Sequence, residues 1–372
     1  MQGFNNRING KDNSMIGAHS TIVGDLNKAF GLSNTIFGSK NEIIRGNNNK
    51  IKGSENLMEG SNNTVVGDQN AVQGHKNTLV GDQNNVKGHN NTLVGDQNNV
   101  AGTSNIALGD RNTMAGNQNA VNGSDNKLKG NENAVNGNNN QVSGHQNNIN
   151  QDNNRVAGNQ NNVDGNDNAV IGSKNNLQGD QNTVKGNLNS VNGSKNLVAG
   201  HENLVNGDKN AVGGSQNTIE EGSQNMVLGD QNYLKNANQN QVNGSKNTIT
   251  NGNNNMVQGS LNKVEGNGNK LITMNSSVTG NKNEMMGTNL EVEGNENLVK
   301  GHNSSVKGSN NNLLGTGNVV LGNNNNNTGS FNTIKGEMNN AAGDRNSIDG
   351  RVNNVMGYDN NIKGDINTVL GD

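Results

Sequence analysis

The chain contains no cysteine, no proline and no tryptophan. Without thiols, disulfides and thiolate metal sites are excluded, and the redox compartment leaves no mark. Without proline, every strand position can donate its backbone N–H, as interior strands require. Aromatic residues make up 2% and hydrophobic residues 27% of the 372 positions. That is too little apolar volume for the two globular cores the length would otherwise suggest. Charge of one sign is also missing, since 28 basic and 31 acidic residues leave a net −3. Nucleic-acid binding by counterion release needs clustered cations, so no nucleic-acid partner is expected. No apolar run approaches a membrane span, so no membrane insertion is expected. The polar opening from Met1 to Gly10 does not read as a secretory leader. The default expectation is therefore an intracellular protein, with an extracellular filament or surface fibre left open.

What the chain has is glycine and asparagine in strict register. From Gly3 to Gly371 lie 368 residues, which divide into 52 steps of seven plus four single insertions. Of the 53 glycines, 50 occupy these slots; Gln151, the slot near Asn236 and Thr273 lack one. Two residues before nearly every in-register glycine sits an aliphatic, as in Leu79, Val86, Leu93 and Val100. Four residues before it sits asparagine, as in Asn70, Asn77, Asn84, Asn91 and Asn98. A disordered Asn-rich tract has no physical reason to hold three columns along its whole length. A coiled coil is excluded too, because a glycine in every turn costs a helix about 1 kcal/mol per residue.

The order Asn-x-aliphatic-x-Gly fits a short strand, here expected to be five residues, with Asn, the aliphatic and Gly on one face. The two remaining residues make a turn, and glycine before it can take a positive φ. Seven residues cannot enclose an interior, but two heptads can close one flattened coil. The position before glycine supports this pairing. It is apolar at Val66, Val80, Val94 and Leu108, each 14 apart, and again at Met286, Leu314, Met356 and Leu370. The expected fold is an all-β parallel β-solenoid of about 26 coils, with two strands per coil. The chain reads as a single solenoid over residues 1–372, with a kink or subdomain boundary expected at 214–252, where three insertions cluster. One inward aliphatic per half-coil is a thin core, so stacked asparagine amides must carry part of the fold, bonded from coil to coil.

The unit Asn77-Thr78-Leu79-Val80-Gly81-Asp82-Gln83 resembles the head repeats of trimeric autotransporter adhesins, the YadA-like or haemagglutinin-type repeats. Those are similar to Ser-x-Ala-x-Gly-x-x, paired into coils of a left-handed parallel β-roll. The resemblance covers nearly the whole chain and implies a trimer that binds host surfaces. Asn stands here for Ser and Leu for Ala, and no stalk or membrane anchor accompanies the repeats.

No Ser/His/Asp or Cys/His arrangement stands out, so no catalytic residue, no cofactor and no enzymatic activity are expected. His75 and His89, 14 apart, stack on adjacent coils as solvated turn residues or as a shared metal site. Asp68, Asp82, Asp96 and Asp110 line one edge, either as a solvated corner or bridged by a divalent cation. Thr64, Thr78 and Thr92 stack two residues before Val66, Val80 and Val94; such an array can order water, although the threonine file ends after three coils. Phe30 and Phe37 fall on consecutive strands and so on both faces. With the apolar outward stripe they suggest contact with further copies of the chain, other structural proteins or a cell surface. The first functional expectation is a rigid, self-associating rod, a filament subunit or scaffold. The alternatives are an adhesin-type head and an ice-binding solenoid.

Overall fold

The computed structural model describes residues 2–250 and 324–371 throughout and, between them, the strands and scattered turn residues. Two compact units result, Met1–Asn182 and Thr183–Asp372, each described here by itself. Both are all-β, parallel β-solenoids with about 14 residues per coil, and no helix occurs among the described residues.

Each strand pairs in parallel with the strand one coil away. In the first unit Thr78, Leu79 and Val80 pair with Thr92, Leu93 and Val94. In the second, Leu197, Val198 and Ala199 pair with Ala211, Val212 and Gly213. The strands are mostly three residues long, as in Thr78–Val80, and not the five that the alternation suggested. Glycine is the reason. Gly81 has a φ of +128°, which turns the chain immediately after Val80. A Cβ at Gly81 would also fall on the carbonyl oxygen of Gly95 in the next coil. Both the conformation and the close approach of stacked corners therefore demand glycine.

The turn has a second fixed element. Gln83, two residues after Gly81, adopts φ +58°, the left-handed helical region, and so do Gln69, Lys76 and Asn90 in their own turns. The turns stack as the strands do: Gly95 N–H donates to the Val80 carbonyl and Gln97 N–H to the Asp82 carbonyl, both at 2.9 Å. Backbone pairing thus continues around the corners and leaves few N–H groups for water.

The core is one side chain wide. Ile36, Leu79, Leu93, Ile149 and Val163 are all fully buried, as are the asparagines that precede them in the repeat. Where Ser20 takes an asparagine slot, its hydroxyl accepts the Asn34 N–H at 3.0 Å. The insertions are absorbed in two ways. Between Gly38 and Gly46 the register shifts across Ile43 and Arg45, and the extra residue, Ile44, is pushed outward. Beyond Gly214 the strands keep their register across 15-residue coils, Ala211 pairing with Met226 and Thr218 with Tyr233. The extra residues there lie in the turns.

Candidate functional site

Two frames hold the outward side chains in place. The first is the internal asparagine ladder. Asn84 Nδ2 donates to Asn70 Oδ1 at 3.1 Å and to the Gly95 carbonyl at 2.8 Å. Its Oδ1 accepts the N–H of Asn98 at 2.9 Å and the Asn98 amide at 3.0 Å. Asn77 and Asn91 repeat the pattern on the other strand of each coil. The amides of Asn77, Asn84 and Asn91 are thus bound above, below and across to the corner, a buried polar network with its groups satisfied.

The second frame is a file of acceptors just after each glycine. Asp82 Oδ1 accepts the N–H of Asp68 at 2.7 Å, Asp96 that of Asp82 at 2.7 Å, and Asp110 that of Asp96 at 2.8 Å. Asp68 accepts the N–H of Ser54. Ser124 and Asn131 do the same work with a hydroxyl and an amide oxygen. His75 Nδ1 accepts the Ser61 N–H at 2.9 Å, and His89 Nδ1 accepts that of His75 at 3.1 Å, the two rings stacking 5.1 Å apart. The four aspartates and two histidines therefore bond the backbone of the coil before. Among the described residues, no group of three or more His, Cys, Asp or Glu could hold a metal ion.

On this scaffold the two sheets of the first unit differ. One carries Thr64–Val66, Thr78–Val80, Thr92–Val94, Ile106–Leu108, Ala120–Asn122, Ala134–Asn136 and Asn148–Asn150. These seven strands are paired without interruption and present no charged residue. At about 4.8 Å per strand the face runs for roughly 30 Å. Thr64, Thr78 and Thr92 are direct register partners, as are Val66, Val80 and Val94. Beyond Leu108 the face becomes polar but stays neutral. Asn122 donates to Asn136 at 3.1 Å and Asn136 to Asn150 at 3.4 Å, forming an outward amide file at strand spacing.

The opposite sheet of the same unit presents Glu59, Lys87, Lys127, Lys129 and Arg155 over the same stretch. It is also concave. A groove of about 420 Å³ is lined by Thr113, Ala115, Lys127, Lys129, Ser143 and Arg155. Over Thr64–Asn150 the charge is thus on one sheet, and the other is regular and neutral.

The residues expected to form contacts fall on different surfaces. Phe30 is exposed on the charged sheet and Phe37 on the neutral one. Val66, Val80, Val94 and Leu108 all belong to the neutral face and are exposed. In the second unit Met356 and Leu370 are exposed and Leu314 is half-buried, while the side chain of Met286 lies outside the described residues. The structure brings the threonine file, the valine file and Leu108 into one surface. Reading the sequence for a repeated threonine missed the extension from Ile106 to Asn150. The signal was there as a missing residue class: no charge at alternate outward positions between Lys52 and Asp164.

Fold and surface together define a solenoid repeat protein, a β-roll with stacked asparagine ladders. The family model described as grass antifreeze beta roll matches residues 1–102, 58–151, 96–186, 146–221 and 212–308. These matches cover well over half of the chain, which belongs to that family. The resemblance to adhesin head repeats stays at the level of the repeat. Comparison with curated proteins finds no match.

Proposed function

We propose that the chain binds ice, through the neutral face that runs from Thr64 to Asn150. The observation that carries this reading is the seven-strand run without a charged side chain, set on a backbone whose spacing the asparagine ladder holds constant. A charged group keeps its own hydration shell, which disrupts a water lattice. Neutral hydroxyl, methyl and amide groups at fixed intervals instead hold water in rows. Because the scaffold is already ordered, little side-chain entropy is lost on binding. The antifreeze name of the matched family supports the same reading. In it the protein is a non-catalytic surface binder that needs no cofactor, and its partner is ice.

Thermal hysteresis and inhibition of ice recrystallisation by the purified chain test this. Thr78→Lys places a charge in the threonine file and should sharply reduce both activities, whereas Lys129→Glu on the other sheet should leave them unchanged. No hysteresis, no recrystallisation inhibition and no adsorption to ice from the unmodified chain would refute the reading.

The second reading, a self-associating rod, draws on the exposed Phe30, Phe37, Val80 and Leu108. Light scattering separates the two. A mass near 39.0 kDa fits an independent ice binder, and multiples of it or long fibres fit assembly.

A further inference from the structure

The second unit has a neutral face of its own. Strands Asn326–Thr328, Asn340–Ala342, Asn354–Met356 and Thr368–Leu370 pair in unbroken register. Their first outward positions are Asn326, Asn340, Asn354 and Thr368. Asn326 donates to Asn340 at 3.0 Å and Asn340 to Asn354 at 2.9 Å, so the amides form a fixed file. Asn326 and Asn340 each spend one N–H on the next amide and leave the other for water, at intervals of about 4.8 Å. The adjoining file, Thr328, Ala342, Met356 and Leu370, supplies mainly methyl groups. None of the eight positions is charged.

The other sheet of this unit takes the charge instead. Lys335, Asp349 and Lys363 face outward there, and Glu337 pairs with Arg351 at 3.1 Å. Over these strands the segregation repeats that of the first unit with the two strands of each coil exchanged: here the even-numbered file, counting strands along the chain, is neutral and the other ionic. These residues also lie beyond residue 308, where the family matches end, so the likeness to that family does not by itself imply them.

We propose that residues 326–370 form a second ice-adsorbing tile, separate from that of the first unit. The proposal rests on the ice-binding reading of the first unit. Its occupant is a neutral lattice of water, to which an uncharged file of amide donors and acceptors beside a methyl file is complementary. A second copy of the chain is the alternative occupant.

The test is the concentration at which the fluorescently tagged full chain half-saturates polycrystalline ice. Asn340→Lys and Met356→Lys each charge the second tile through a different file; Thr78→Lys charges the first. Each single variant should weaken adsorption without abolishing it, because the other tile remains. Asn340→Lys combined with Thr78→Lys should abolish adsorption. Lys363→Gln, on the other sheet of this unit, should bind as the unmodified chain does, which separates charge on the tile from a change of charge elsewhere. If Asn340→Lys and Met356→Lys leave adsorption unchanged while Thr78→Lys alone abolishes it, the second tile is refuted and the first stands. If the second-tile variants instead convert a dimer to a monomer in light scattering with no effect on ice, the tile is a protein interface and the proposal fails. If the unmodified chain does not adsorb, both readings fail together.

Discussion

Asn70 Oδ1 accepts two hydrogen bonds from Asn84, one from its backbone N–H at 2.9 Å and one from its side-chain amide at 3.1 Å. The two residues are 14 apart in the chain and one coil apart in space. The same Asn70 amide donates to the carbonyl of Gly81 at 2.8 Å. One side chain therefore ties a strand start, a neighbouring asparagine and a glycine corner together.

Asn70→Leu removes these three bonds and a fourth, from the Asn70 amide to Asn56 Oδ1 at 3.0 Å, and leaves the Asn84 N–H and the Gly81 carbonyl buried without this partner. A loss of about 1–3 kcal/mol is expected for each group so orphaned. Asn70→Asp is the informative control, because it still accepts from Asn84 but cannot donate to Gly81. Its stability in chemical denaturation should fall between the unmodified chain and the leucine variant.

Asn327 sits in the slot that aliphatics occupy elsewhere, fully buried. Its Oδ1 accepts the Asn332 amide at 2.9 Å, but its own Nδ2 has no partner. Asn327→Val removes the unpaired donor, and Asn332 keeps its bond to the Gly343 carbonyl at 2.7 Å. Stability should therefore rise by about 1 kcal/mol, measured as a later denaturant midpoint with an unchanged slope.

Val352 and Ile366 occupy the left-handed turn position, at φ +55° and +59°. Both are β-branched, and for such residues this conformation costs about 1–2 kcal/mol. Val352→Asn and Ile366→Asn should each raise the melting temperature, since asparagine tolerates the region best among residues with a side chain. A fall in either variant would mean that the exposed apolar group makes a contact worth more than the strain.

Arg111 grips Asp125 one coil away with two bonds of 2.7 Å. Hydrogen bonding and then the charge of Arg111 hold the Asp125 carboxyl below its ordinary value. Glu55 is lowered likewise, first by the Gln69 amide and then by Lys40. A carboxyl with a depressed folded pKa binds fewer protons in the folded than in the unfolded state. Its contribution is complete above the unfolded value and is lost as pH falls through the folded one. Melting temperature should decline on acidification below the usual carboxylate range, and Asp125→Asn should make that decline shallower. Both pairs are solvent-exposed, so added salt should weaken the effect.

How much of this was legible follows from where each feature is encoded. The buried role of Asn70, Leu79 and Asn84 could be read from columns, because a solenoid repeats one local environment and so repeats one residue. The corner glycines were legible for the same reason, and Gly81 needs its hydrogen both for φ and for the carbonyl of Gly95. The left-handed position at Gln83 was not legible. Its residues vary from Gln and Lys to Val352 and Phe331, since the stacked backbone imposes the conformation whatever the side chain. The role of Asp82 was ambiguous for a related reason. A file of carboxylates reads equally as a cation site until the structure shows each Oδ1 taken up by the preceding coil's N–H.

The sequence by itself determined the roll: its 14-residue coil, its single-file core and its asparagine ladder all follow from a period that each heptad carries locally. Tertiary structure decided three further things. It shortened the strands to three residues, turned the aspartates and histidines into backbone acceptors, and gathered scattered neutral residues into faces. Each depends on what stands one coil away, at a distance of about 4.8 Å in space and 14 residues in the chain. A heptad specifies its own alternation, but only stacking specifies its neighbours.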